Sequence, residues 1–128
     1  MEPPVNKPSS KGLSHIISAT LYSYRGLRAA LKYEEAFRLE FIAVLLMLPL
    51  AVWLGQTAVE HILLIGSLFM VLMVELINSA IEAVVDRIGT EHHQLSGRAK
   101  DFGSAAVSLS LLIALIIWAF IAYARFCE

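Results

Sequence analysis

From Ile62 to Val74 the chain carries no charged side chain. The apolar run then passes without a break into Val74-Glu75-Leu76-Ile77-Asn78-Ser79-Ala80-Ile81-Glu82-Ala83-Val84-Val85-Asp86-Arg87. A hydrophobic segment that long reads as a membrane span. Asn78, Ser79, Glu82 and Asp86 follow Glu75 at i+3, i+4, i+7 and i+11, so a helix sets all five on one face. Carboxylates at the end of a span are costly unless they face water or a protein interior, which makes this face the candidate functional site.

Composition agrees with the membrane class. Hydrophobic residues are 58% of 128, too many for a soluble domain of this length. The net charge of −1 gives no electrostatic footprint for nucleic acid. Cys127 is the single cysteine, which excludes disulfides and cysteine zinc sites within one chain. Residues 1–10, with Pro3, Pro4, Pro8 and Ser9, read as a disordered tail without a cleavable signal peptide. The rest, 11–128, reads as a single membrane domain.

Leu13, Ile16, Ile17, Leu21, Tyr24, Leu27 and Leu31 form one helical stripe interleaved with Lys11, Arg25, Arg28 and Lys32. That pattern predicts an amphipathic helix over about 11–32, lying in the membrane interface. A first span is expected at about 35–54. It has charged Glu34, Glu35, Arg38 and Glu40 at its entrance, Pro49 inside and Trp53 as an interface anchor. Gly55-Gln56-Thr57 is short enough to return the chain antiparallel into a second span at about 58–87, ended by Gly89. Glu91-His92-His93 lies on a polar loop. Ser96 is placed to cap a third span at about 98–124, which carries Trp118 toward its far end.

Of the ten Lys and Arg, only Arg125 lies at the far end of the third span; the other nine flank the opposite ends of the spans. The N-terminus and the 88–98 loop are therefore expected in the cytoplasm and the C-terminus on the other side. Glu34, the Glu75 face, Lys100, Asp101 and Ser104 then come to one cytoplasmic plane. Paired carboxylates there suit a hard divalent cation with phosphate ligands, and Glu75 suits a general base for a lipid hydroxyl. No Walker loop, dinucleotide fingerprint or protein-kinase signature is present. On the residues alone, three classes stay open: a phosphotransferase acting on a membrane alcohol, a proton-coupled transporter, and a structural subunit.

Glu75-Leu76-Ile77-Asn78-Ser79-Ala80-Ile81-Glu82-Ala83-Val84-Val85-Asp86-Arg87-Ile88-Gly89 closely resembles the bacterial integral-membrane diacylglycerol kinase family. So do Leu95-Ser96-Gly97-Arg98-Ala99-Lys100-Asp101 and Gly103-Ser104-Ala105-Ala106-Val107. The resemblance extends to Gly26-Leu27-Arg28-Ala29-Ala30, Glu34 and Ala36-Phe37-Arg38. It implies an all-α membrane protein with a surface helix and three transmembrane helices. These assemble as a homotrimeric bundle in the bacterial inner membrane, with active sites shared between subunits. It further implies MgATP and 1,2-diacylglycerol as substrates, with ADP and phosphatidic acid as products.

Carried over residue by residue, the resemblance makes Glu75 the catalytic base with Asn78 beside it, and Glu34 and Glu82 the Mg²⁺ ligands. His15, Tyr22, Glu34, Glu82, Glu91, His92, His93, Lys100 and Asp101 become nucleotide contacts. Arg28, Ala36, Arg38, Glu40, Trp53, Glu75, Ser104 and Trp118 become contacts of the lipid substrate. Relatives can carry arginine where His15 stands, and histidine lacks arginine's rigid fork of donors. Asp86 is expected to pair with Arg87 or Arg98 of a neighbour. Undecaprenol kinase, a related enzyme for another apolar-tailed alcohol, is the alternative within the superfamily.

Overall fold

The computed structural model describes residues 11–127; the expected tail at 1–10 lies outside the described residues. Four α-helices follow one another: α1 Gly12–Tyr33, α2 Glu35–Leu54, α3 Ala58–Ile88 and α4 Gln94–Cys127. The last three are long and apolar enough to cross a membrane. At 1.5 Å per residue, the 31 residues of α3 span about 46 Å, well beyond a ~30 Å hydrocarbon core. It is longer than one perpendicular crossing requires, and its polar residues gather in the C-terminal turns.

Single residues set the connections. Glu34 alone separates α1 from α2, in extended backbone with φ −107° and ψ 104°. Thr57 caps α3: its Oγ1 accepts the Glu60 N–H at 3.1 Å and donates to Glu60 Oε2 at 3.2 Å. The His61 ring turns back to the Val52 carbonyl at 3.0 Å, and only glycine leaves it room at position 55, because a Cβ there would meet His61 Cδ2 at 2.7 Å. α2 continues through Pro49 without interruption. α4 begins at Gln94, ahead of the expected start, because His93 Nδ1 accepts the Leu95 N–H at 3.1 Å. Ser96 accordingly lies inside the helix and does not cap it.

α3 is the central helix. α4 packs along it over the longest interface, α2 over a shorter one, and α2 and α4 barely meet. Near the cytoplasmic ends expected from sequence, Ala30, Phe37, Val44, Leu68 and Leu72 form one core cluster; Ala51, Leu54, Leu64 and Ile121 form another toward the far ends. Trp118 joins the two, and its indole N–H donates to buried Ser67 at 3.1 Å. The interior is narrow, and Leu46, Ile62, Ile77, Leu115 and Phe120 all point outward. Such a surface is untenable in water and suited to lipid or to neighbouring helices.

Candidate functional site

The Glu75 face turns inward. Glu75 is 5% exposed and Asn78 7%, with Ser79 buried beside them. Asn78 Nδ2 donates to Glu82 Oε1 at 3.3 Å, one helical turn on, and Asn78 itself lies one turn after Glu75 on the same face. The amide thus orients the Glu82 carboxylate. Glu40 of α2 lies against Glu75, side chain to side chain, and Glu34 and Glu82 are within electrostatic range of it. Two buried oxygens, Glu40 Oε2 and Asn78 Oδ1, have no hydrogen-bond partner. Unpaired polar atoms are rare in protein interiors, which sets these two apart among the described residues.

α4 reaches this point because position 103 is glycine. Gly103 is buried, and a Cβ there would collide with Asn78 Oδ1. Asn78 is therefore held from both sides, by Glu82 in front and the α4 backbone behind. Sequence reasoning registered Gly103 only as part of a motif. Its role needed the α3–α4 packing, which no local spacing reveals.

Three hollows surround the face. The largest, about 560 Å³, lies between α1 and α3 and is lined by Gly26, Ala30, Glu34, Leu76, Ser79 and Ala80. A second, about 220 Å³ and almost wholly apolar, has Glu40 and Trp118 among its lining, with Val44, Leu68, Val71 and Leu111. The third is polar, about 250 Å³, and gathers Asp86, Glu91, His92, His93, Ser96 and Lys100 at the end of α3. There Lys100 Nζ meets Asp86 Oδ1 at 2.7 Å. Asp86 thus takes its basic partner from α4 of its own chain, where Arg87 or Arg98 of a neighbour was expected.

The candidate residues are not all brought together. Glu34, Glu40, Glu75, Asn78 and Glu82 converge; Glu91, His92, His93 and Lys100 share the polar hollow. Asp101, Ser104, Arg28 and Ala36 are exposed outside the three hollows. His15 and Tyr22 sit on α1, the latter with Arg25 6.0 Å from its ring. Trp53 is at the opposite end of α2, under Arg125 and against Phe126, at ring distances of 5.5 and 5.7 Å. Arg38 hydrogen-bonds the Leu31 and Lys32 carbonyls at 2.9 and 3.3 Å, back onto α1.

A closed cage for a metal is absent: among the described residues no three His, Cys, Asp or Glu side chains are grouped to hold one. Mg²⁺ does not need one. It commonly takes one or two carboxylates and completes its shell with water and substrate phosphates. Glu34 and Glu82, two carboxylates within electrostatic range of Glu75, fit that mode of binding.

Comparison with known proteins agrees over nearly the whole chain. The family model for "Prokaryotic diacylglycerol kinase" matches residues 21–122. The diacylglycerol kinase of Escherichia coli K12 is 52% identical over 118 residues, covering 92% of this chain and 97% of that protein. The diacylglycerol kinase of Haemophilus influenzae is 53% identical over 107 residues, covering 84% and 91%. That of Pseudomonas aeruginosa is 44% identical over 108 residues, covering 84% and 88%. With a buried glutamate face on its central span and full-length relatives at half identity, this chain belongs to the prokaryotic diacylglycerol kinase family.

Proposed function

We propose that the protein transfers the γ-phosphoryl group of ATP to the free hydroxyl of 1,2-diacylglycerol, releasing ADP and phosphatidic acid. The observation that carries this is Glu75. It is buried on an apolar span, one helical turn before buried Asn78, and close to Glu40, which helps to line an apolar hollow. A lipid alcohol with its chain along that hollow would bring its hydroxyl to the carboxyl pair. Glu75 accepts the hydroxyl proton as the oxygen attacks the γ-phosphorus, and the bond from that phosphorus to the oxygen of ADP breaks.

Glu34 and Glu82 hold the Mg²⁺, which when bound neutralises phosphate charge. The nucleotide lies toward the polar hollow. Lys100 leaves Asp86 for a phosphate there, with Asp101, Glu91, His92 and His93 nearby and His15 and Tyr22 approaching from α1. Ser104, Arg28 and Ala36 flank the lipid's entry. This arrangement holds the reactants in place and offsets charge, which is most of what phosphoryl transfer asks of a protein.

The protein resides in the bacterial inner membrane with its N-terminus in the cytoplasm and its C-terminus in the periplasm. α1 lies on the cytoplasmic surface with Leu13, Ile16 and Ile17, all exposed, toward lipid. The chain assembles as a homotrimer with shared sites. The outward apolar faces and the two unpartnered buried oxygens support that assembly.

Purified protein in mixed micelles, given MgATP with diacylglycerol and undecaprenol separately, tests the function. Preferred phosphorylation of diacylglycerol is expected. Preference for undecaprenol would reassign the acceptor and keep the site. No transfer to either lipid, with Glu75-dependent proton flux in vesicles, would replace the kinase by a transporter.

A further inference from the structure

Among the described residues, α1 packs mainly against α2, at a corner one residue wide. Glu34 ends α1 and begins α2: its N–H donates to the Ala30 carbonyl at 2.9 Å, and its own carbonyl accepts the Arg38 N–H at 3.0 Å. A single extended residue between two helices leaves their relative direction to whatever clamps the corner. On the apolar side the clamp is Phe37, 1% exposed and in one cluster with Ala30, with Leu31 packed against it. The polar side is the next residue, Arg38. Its Nη1 reaches back to the Leu31 carbonyl at 2.9 Å and the Lys32 carbonyl at 3.3 Å. Those carbonyls belong to the last turn of α1, where no further helical N–H follows to bond them and the helix dipole is negative. A guanidinium satisfies both at once, with charge of the favourable sign.

We propose that Arg38 is a positioning residue: it sets the angle between α1 and α2 and so fixes where the Glu34 carboxylate stands relative to Glu75 and Glu82. Glu34 is the pivot itself, so a change in the angle moves its side chain directly. The 22 residues of α1, about 33 Å long, amplify any change in the corner. Arg38 thus acts through its bonds to α1 and not through the lipid substrate. The functional consequence rests on the metal role proposed for Glu34.

Two readouts test this. Spin labels at Ala19→Cys and Gln56→Cys, in a Cys127→Ser background diluted with unlabelled protein, report the α1–α2 distance by pulsed electron resonance without reference to activity. Arg38→Ala should broaden that distribution, and Arg38→Lys, which keeps the charge but not the fork, should partly restore it. In the unlabelled enzyme, Arg38→Ala should raise the half-saturating Mg²⁺ concentration about tenfold, the scale of a lost charge-assisted bond. The diacylglycerol KM should stay near wild type, and Arg38→Lys should recover part of the Mg²⁺ effect.

An unchanged distance distribution overturns the proposal. So does a higher diacylglycerol KM at unchanged Mg²⁺ dependence, which would make Arg38 a lipid contact. Glu34→Gln measured alongside separates the two ideas. A normal Mg²⁺ titration in that variant removes the metal role of Glu34 and with it the catalytic consequence. A broadened distance in Arg38→Ala would still establish the corner clamp.

Discussion

Replacing Gly103 by alanine adds one methyl group at the most crowded point of the site. That Cβ would overlap Asn78 Oδ1, stand 3.2 Å from Asn78 Cγ and stand 3.8 Å from Asn78 Cα. The last distance is ordinary contact, so the α3 and α4 backbones need not separate; the Asn78 amide has to rotate away. Rotation loses its 3.3 Å bond to Glu82. Overpacking of this kind costs about 1–3 kcal/mol. A hydrogen bond to a charged group adds roughly 1.5–3 kcal/mol when fully buried, and less here because Glu82 is only half-buried. Together, Gly103→Ala should destabilise the folded protein by about 2–4 kcal/mol. A displacement near 1 Å at an orienting group costs on the order of 100-fold in turnover.

The assay is a double-mutant cycle with Asn78→Ala, read by reversible denaturant unfolding in micelles and by lipid phosphorylation. Truncating Asn78 removes the atom that Gly103→Ala would strike. The second substitution should therefore cost little in that background, and the stability effects should fall short of additivity by about 1–2 kcal/mol. Additive stability effects would mean that the added methyl group strikes something other than Asn78, and the account of Gly103 would fail. Turnover near wild type in Gly103→Ala would show that the Asn78 amide orients nothing the reaction needs.

Glu75→Gln keeps the shape of the buried face and removes the base; transfer should fall by about 10²–10⁴-fold while size-exclusion behaviour and unfolding stay near wild type, and retained turnover would remove Glu75 as the base. Glu34→Gln and Glu82→Gln should each raise the Mg²⁺ concentration needed for half-maximal rate, checked by a Mg²⁺ titration at saturating ATP; an unaltered titration would count against their metal role. Ser67→Ala leaves the Trp118 N–H without its acceptor in the apolar interior, and should cost about 1–2 kcal/mol in unfolding. Trp118→Phe should recover part of that loss in the Ser67→Ala background.

Much of the fold was legible because the membrane simplifies the problem. Lengths of apolar sequence bounded the three long helices, and a five-residue polar face inside an apolar span singled out Glu75, Asn78 and Glu82 before any packing was known. The sequence suggested Arg87 or Arg98 of a neighbour for Asp86, and within the chain Asp86 meets Lys100. Lys100 lies fourteen positions further on, and only the antiparallel packing of α3 on α4 sets the two at 2.7 Å. Ser96 was the obvious cap by residue type, yet the His93 ring captured the first free N–H earlier and lengthened α4.

Sequence alone determined the kind of solvent, the number of long helices and the family, because those depend on hydrophobic length and on residues contiguous in the chain. It also singled out the polar face on which the proposed chemistry rests. Tertiary structure decided how those side chains are held. Gly103 behind Asn78, Glu40 against Glu75, Arg38 across the α1–α2 corner and Trp118 on Ser67 each join positions set together by helix packing or a sharp turn. The physical reason is range. Hydrophobic periodicity is a property of neighbours along one helix, whereas orientation of a catalytic group is set by whichever atoms approach it in space.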